Sequence, residues 1–225
     1  MDGILLFDKP IKWTSHDAVD FIRRRIGQRG VGHAGTLDPM ATGLLVMLLG
    51  KATKKFETFS RMDKEYEAEM TLGFTTDTYD LEGKVLSTAE IAGVSASKVR
   101  EIFSGMTGRQ MQRPPAYSAV KRQGKKLYEL ARAGAPAEAP PKEITVYDFQ
   151  LLDLDLPKIS FRVRCSKGTY IRSLCQEAGA SLGCGATLSK LVRTSIGTMT
   201  LGKALTQREL ESLDRLQIES RLIPV

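Results

Sequence analysis

Apolar residues come in short bursts along this chain, and the spacing inside each burst predicts an element. Gly3-Ile-Leu-Leu-Phe-Asp-Lys-Pro10 reads as a strand stopped by proline. Val19, Phe21, Ile22 and Ile26 recur at helical spacing behind a capping serine, so residues 16–26 are expected to form an amphipathic helix capped by Ser15. From Tyr66 the order Tyr-Glu-Ala-Glu-Met alternates with period two, the mark of a strand. Residues 144–154 and 159–165 are two further β-type runs. Helices are expected at 51–61, 97–104, 125–133, 168–182 and 205–213. Short strands interleaved with helices predict a mixed α/β (α+β) domain.

Composition narrows the class. The 225 residues include 33 Lys and Arg against 26 Asp and Glu, a net charge of +7 that favours a polyanionic partner and is shared by ribosomal and membrane-surface proteins. The charge is concentrated: residues 109–132 hold seven basic side chains and one acidic. Like charges so crowded repel one another, and a polyanion relieves that cost. Cys165, Cys175 and Cys184 have neither the number nor the spacing of a disulfide framework or a metal knuckle, which predicts free thiols in a reducing compartment. The longest apolar run, residues 44–49, is far short of a membrane span, and the first residues carry no basic, cleavable leader. A cytoplasmic location without membrane association is expected.

One short motif invites a wrong turn. Gly30-Val-Gly-His-Ala-Gly35 matches the dinucleotide fingerprint G-x-G-x-x-G. That motif works only between a strand and the helix whose free amides meet the pyrophosphate. Here it follows a basic helix and runs into Thr36-Leu-Asp-Pro39, so an oxidoreductase is disfavoured. Taken alone, Asp38 before Pro39 reads as the cap and first residue of a helix, with the apolar run behind it as the helix body.

The wider context points elsewhere. Gly32-His-Ala-Gly-Thr-Leu-Asp-Pro-Met-Ala-Thr-Gly43 resembles the central motif of the bacterial B-type tRNA pseudouridine synthases, which modify uridine 55 of the T-loop. Other blocks follow in that family's order: Lys9-Pro10 with Thr14-Ser15, Lys64-Glu-Tyr66, Thr76-Asp-Thr-Tyr-Asp-Leu-Glu-Gly83 and Pro114-Pro-Ala-Tyr-Ser-Ala-Val-Lys121. Gly124-Lys-Lys-Leu-Tyr-Glu129 and Cys165-Ser-Lys-Gly-Thr-Tyr-Ile-Arg172 complete a resemblance spanning residues 3–196.

The resemblance implies a central, mainly antiparallel mixed sheet flanked by helices, with a catalytic domain over 1–213, an RNA-gripping thumb at about 109–142 and a tail over 214–225. It implies that Asp38 is the essential carboxylate, that Tyr66 stacks on the target base and that Arg172 pairs with Asp38. Tyr170 and Leu191 line the pocket, and His33 helps hold the flipped nucleotides. Gly35, Thr36, Lys64, Lys121, Lys125 and Lys126 complete the expected substrate contacts. The partner is the T-arm of tRNA and the protein acts as a monomer. Two departures stand out. Lys12 occupies a position where the family usually has glycine. The chain also stops at Val225, where family members continue into a small RNA-binding domain that is here reduced, absent or trimmed.

The chemistry gives these residue types a reason. Isomerisation breaks the N1–C1′ bond, turns the uracil and rejoins it through C5. Glycosidases use two carboxylates because water enters the reaction. An isomerase that admits no water can work with one. No electron or phosphate moves, so neither cofactor nor metal is expected. A paired guanidinium keeps a desolvated carboxylate charged and oriented, and an unstacked base needs an aromatic face. Simpler readings stand beside these: Arg172 as a surface residue in the first turn of a helix, Tyr66, Tyr170 and Leu191 as ordinary packing, His16 as a surface residue. A non-catalytic RNA-binding module on the same fold is the rival function.

Overall fold

A computed structural model describes residues 1–122, 124–135 and 137–225. In chain order its elements are β1 Gly3–Lys9, α1 Ser15–Ile26, β2 Val31–Ala34, β3 Thr42–Leu49, α2 Phe56–Ser60, β4 Lys64–Leu72, β5 Phe74–Thr76 and β6 Val85–Thr88. Then come α3 Ala96–Gly105, β7 Gly108–Gln112, β8 Lys121–Arg122, β9 Lys125–Lys126, α4 Leu127–Arg132, β10 Lys142–Asp155 and β11 Lys158–Cys165. The last are α5 Ile171–Leu182, β12 Ala186–Ile196, β13 Met199–Thr200, α6 Gln207–Ser212 and α7 Arg215–Ser220. The chain divides into two compact units, residues 1–67 with 191–225, and residues 68–190.

In the first unit β1 pairs antiparallel with β3, β2 pairs antiparallel with residues 46–49 of β3, and β12 runs parallel to β3 with Val192 and Arg193 beside Thr42 and Gly43. β3 decides the architecture. Seven of its eight residues are buried, because both of its faces are covered. Leu45, Met47 and Leu49 face a core built with Val19, Ile22 and Ile26 of α1, Leu210 of α6 and Ile218 of α7. Leu44, Val46 and Leu48 face a second core that includes Ala52, Phe59 of α2 and Ile196. A strand covered on both sides shows no alternation, and this corrects the reading of Asp38-Pro39 as the start of a helix: the apolar run is a strand.

The cap of α1 is also corrected. Thr14, not Ser15, accepts the N–H of Asp17, and Asp17 answers to the Thr14 backbone in a capping box. Ser15 is the first residue of the helix, and its hydroxyl reaches a different segment. Residues 214–225 supply α7 and a bridge between Ile223 and Ile4 of β1.

In the second unit β10 pairs antiparallel with β11 and with β7. Phe103 of α3 stacks on Phe149 of β10 with centroids 3.8 Å apart, and Phe161 of β11 meets both rings edge-on. That aromatic trio seats α3 on the sheet. α5 buries Leu174, Cys175, Ala178 and Leu182, and all three cysteines are buried. β5 and β6 form a small hairpin, as do β8 and β9. The helix expected at 125–133 is shorter, because Lys125 and Lys126 belong to that second hairpin. No helix of the described residues is long and apolar enough to cross a membrane.

Candidate functional site

Residues 30–35 lie on and beside β2, a strand that leads into a loop, so the nucleotide fingerprint lacks the helix it would need. The loop connects β2 to β3 and carries Asp38. Its backbone is fastened at several points. The Ser15 hydroxyl accepts from Leu37 N–H at 2.9 Å and donates to Leu37 O at 3.1 Å. Lys12 N–H donates to Pro39 O at 2.8 Å, and Ala41 N–H closes a turn onto Asp38 O at 3.0 Å. Lys12 does this with φ of 70°, the left-handed conformation that suits the family's usual glycine. Asp38 itself is half-buried and Thr36 is exposed.

Lys9 feels the Asp38 carboxylate more than any other charge. It is fully buried, and its ammonium donates to Pro10 O at 2.9 Å and Trp13 O at 2.7 Å. Burial pulls its pKa down to about 8, against the pull of the Asp38 carboxylate. The Lys9-Pro10 and Thr14-Ser15 block therefore serves the loop: one residue sets the local field and another ties the backbone.

Tyr66 lies on β4, whose alternate residues are buried, and only 8% of it is exposed. Its phenol accepts a hydrogen bond from Arg193. Leu191 is buried two residues before Arg193, on the same face of β12. Lys64 is buried and donates to Ser60 O at 2.7 Å and to Met62 O, so its ammonium serves the end of α2. Gly35 has φ of 89° and approaches Arg193 closely: a Cβ there would stand 3.4 Å from Nη1.

His33 is half-buried, and burial, aided by the charge of Arg193, holds its pKa below the usual 6.5. With the folded value depressed, the unfolded chain binds more protons just below 6.5. This contribution to stability is therefore complete above 6.5 and is lost as pH falls toward the folded value. Urea melts should show the parent losing more stability than His33→Gln as the pH is lowered through that window. Parallel curves for the two proteins would contradict the assignment.

In the second unit Arg172 is the second residue of α5 and is 5% exposed, which corrects its simpler reading as a surface arginine. It donates to Thr78 O at 2.9 Å and Tyr117 O at 3.0 Å, and pairs with Asp80 at 3.6 Å. Asp80 is held in turn by the Thr78 hydroxyl at 2.6 Å and Glu82 N–H at 3.1 Å. The buried Gln112 clasps the backbone of Tyr170 from both sides, donating to its O at 3.1 Å and accepting from its N–H at 2.7 Å. Lys142 stands 4.4 Å from the Tyr170 ring centroid, a cation–π contact, and burial depresses its pKa.

The basic residues of the thumb segment are mostly displayed to solvent. Lys125 is exposed, Lys126 is half-buried with its ammonium over the Tyr128 ring, and Arg122 donates to Glu138 O at 2.7 Å. The Lys121 side chain lies outside the described residues. His16 is a surface residue, its side chain 72% exposed.

Sequence reasoning overlooked the supporting residues: Lys9 and Arg193 around the Asp38 loop in the first unit, and Asp80 and Gln112 beside Arg172 and Tyr170 in the second. Arg193 left a readable trace, a charged residue at the inward phase of a strand between the apolar Leu191 and Ile196.

Residues 23–171 match the model of the family described as TruB family pseudouridylate synthase (N terminal domain). A protein of Opitutus terrae named tRNA pseudouridine synthase B is 46% identical over 225 residues, covering 100% of this chain and 93% of that protein. Its namesake in Syntrophotalea carbinolica is 45% identical over 98% of this chain and 71% of its own length. Among solved structures, a chain from the crystal structure of a Cbf5-Nop10-Gar1 complex superposes with a TM-score of 0.76 at 28% identity, covering 99% of this chain and 60% of that one.

Proposed function

The chain belongs to the TruB family of pseudouridylate synthases, and from that premise we propose that it converts uridine 55 in the T-loop of tRNA to pseudouridine, with Asp38 as the essential carboxylate. The observation that carries the proposal is the local build of the Asp38 loop. The backbone around one half-buried carboxylate is tied by Ser15, Lys12 and Arg193. A loop of purely structural purpose needs no such preorganisation around an acid.

The reaction is an internal rearrangement and its atoms balance without a second substrate. The N1–C1′ bond breaks, the freed uracil turns, C5 bonds to C1′, and the proton lost from C5 is matched by one gained at N1. Asp38 faces the reacting nucleotide. Tyr66 offers its ring to the extruded base, and Arg172 is the second charged group assigned to the chemistry. His33, Tyr170 and Leu191 are assigned to holding the flipped nucleotide, and Gly35 and Thr36 to close backbone approach. The cytoplasm is the proposed compartment, where the substrate is found.

The test is direct. A T-loop hairpin incubated with the full chain should acquire pseudouridine at the position corresponding to uridine 55. Tight binding without any conversion would instead favour the non-catalytic RNA module.

The β8–β9 hairpin and its surroundings are proposed to grip phosphates, which position RNA without reading its sequence. Affinity for the hairpin should fall steeply with salt. Replacing Lys125 and Lys126 together with alanine should flatten the plot of log affinity against log salt by roughly 1 to 2 in slope, from the loss of two phosphate contacts. An unchanged slope would remove these lysines from the grip.

A further inference from the structure

Arg193 is the largest side chain buried almost completely in the protein, 1% exposed, and its partners among the described residues are carbonyls and a phenol, not a carboxylate. Nε donates to Leu44 O at 2.8 Å, Nη2 to Gly35 O at 2.9 Å and Nη1 to Thr36 O at 3.3 Å. The Tyr66 phenol accepts from the same guanidinium. Gly35 and Thr36 precede Asp38 and Leu44 follows it, so one rigid fork grips the loop on both sides of the acid. A buried charge without a counter-ion is costly, and an apolar residue of similar volume would suit the strand interior better. Polar satisfaction alone does not require arginine here, since the carbonyls it meets are created by the loop's own shape.

The backbone agrees. Gly43, with φ of 99°, lies so close that a Cβ there would be 2.5 Å from Arg193 O and 2.8 Å from Arg193 N. The last glycine of the Asp38 motif thus lets β12 approach until its arginine reaches the loop. Glycine and arginine form one device.

We propose that Arg193 is a positioning residue: a single guanidinium that locks the loop bearing Asp38 to the ring of Tyr66, so that acid and base platform are presented in fixed register. This rests on the roles given to Asp38 and Tyr66 above. Lysine keeps the charge but not the planar fork, so it cannot reproduce four bonds in fixed directions.

The test uses the full chain and its Arg193→Lys and Arg193→Met variants. Two quantities are measured on folded protein: the single-turnover rate on the T-loop hairpin and the hairpin Kd. Arg193→Lys should slow the single turnover on the order of 10²-fold, the scale of an ångström-sized misplacement, with Kd nearly unchanged. Arg193→Met, which also loses the charge, should be slower still at a similar Kd. A rate for Arg193→Lys close to the parent's overturns the proposal, and so does a loss that lies in Kd and not in the rate. Where the Arg193 variants do not fold, Tyr66→Phe keeps the ring and removes only the acceptor oxygen. It should lower the rate at unchanged Kd, and a parental rate again overturns the proposal. An inactive parent would instead sink the functional reading itself, so the two failures are distinguishable.

Discussion

Asp38→Asn should lose pseudouridine formation by at least roughly 10⁴-fold, the upper range for a group acting directly on reacting atoms, while binding the T-loop hairpin about as tightly as the parent. Asparagine is nearly isosteric, so the turn from Ala41 N–H to Asp38 O and the bonds of Leu37 to Ser15 are all retained. The residue before proline keeps its extended backbone in either case. What disappears is a negative charge, the one that acts most strongly on Lys9. Affinity should survive because the proposed phosphate contacts lie on the β8–β9 segment. Single-turnover assays with excess enzyme separate the two effects, since they remove binding from the rate. A variant that retains more than about a tenth of the parental rate would exclude the carboxylate from the chemistry, because even modest acid–base roles exceed that.

How far the sequence alone led depended on what each residue faces. α1, β4, β10 and β11 were legible because each is covered on one side more than the other, and period follows from that asymmetry; β1, buried on both faces, was legible because Pro10 bounds its short apolar run. β3 was not, because its two buried faces belong to two different cores and erase the alternation. Ser15 was misread as a cap because its hydroxyl is engaged with Leu37, 22 positions away, a partner no local rule contains. The Asp38 motif was legible only through the resemblance, since Asp-Pro has an ordinary structural use. The supporting charges were hidden for another reason. Hydropathy patterns count Lys9 and Arg193 as polar, so their burial can be known only once the carbonyls that receive them have been placed.

Those supporting charges show a division of labour between sequence and fold. The residues of the motif lie in one stretch, but what steadies them comes from distant elements: Ser15 from α1, Arg193 from β12, and in the second unit Gln112 from β7 and Asp80 from the turn after β5. Each distant contribution is a side chain bonded to the backbone of a site residue or paired with its charge. The backbone bonds hold loop shape without consuming functional groups, while the Asp80 carboxylate orients the guanidinium it pairs with.

The second large effect is expected from Asp80→Ala. Asp80 and Arg172 each expose 6% of their side chains, so the pair is shielded from water and from salt. Removing the acid takes a buried counter-charge from Arg172, which keeps its bonds to Thr78 O and Tyr117 O. Breaking a buried pair from one side typically costs about 3–5 kcal/mol, and the alanine also releases the Thr78 hydroxyl and Glu82 N–H that Asp80 now holds. The turn is tight, since a Cβ on Gly83 would fall 2.3 Å from the Thr78 hydroxyl oxygen, so little room exists for relaxation. Asp80→Asn, which keeps the acceptor oxygen, should destabilise less than alanine and still slow the reaction, because Arg172 would lose the charge that orients it. Urea unfolding of the three proteins gives the stability order parent, Asn, Ala, and single-turnover assays on the fraction still folded give the rates. If alanine unfolds with the parental midpoint, the pair contributes nothing to stability. If the folded Asn variant reacts at the parental rate, Arg172 needs no orientation from Asp80, and its assignment to the chemistry loses its support from this unit.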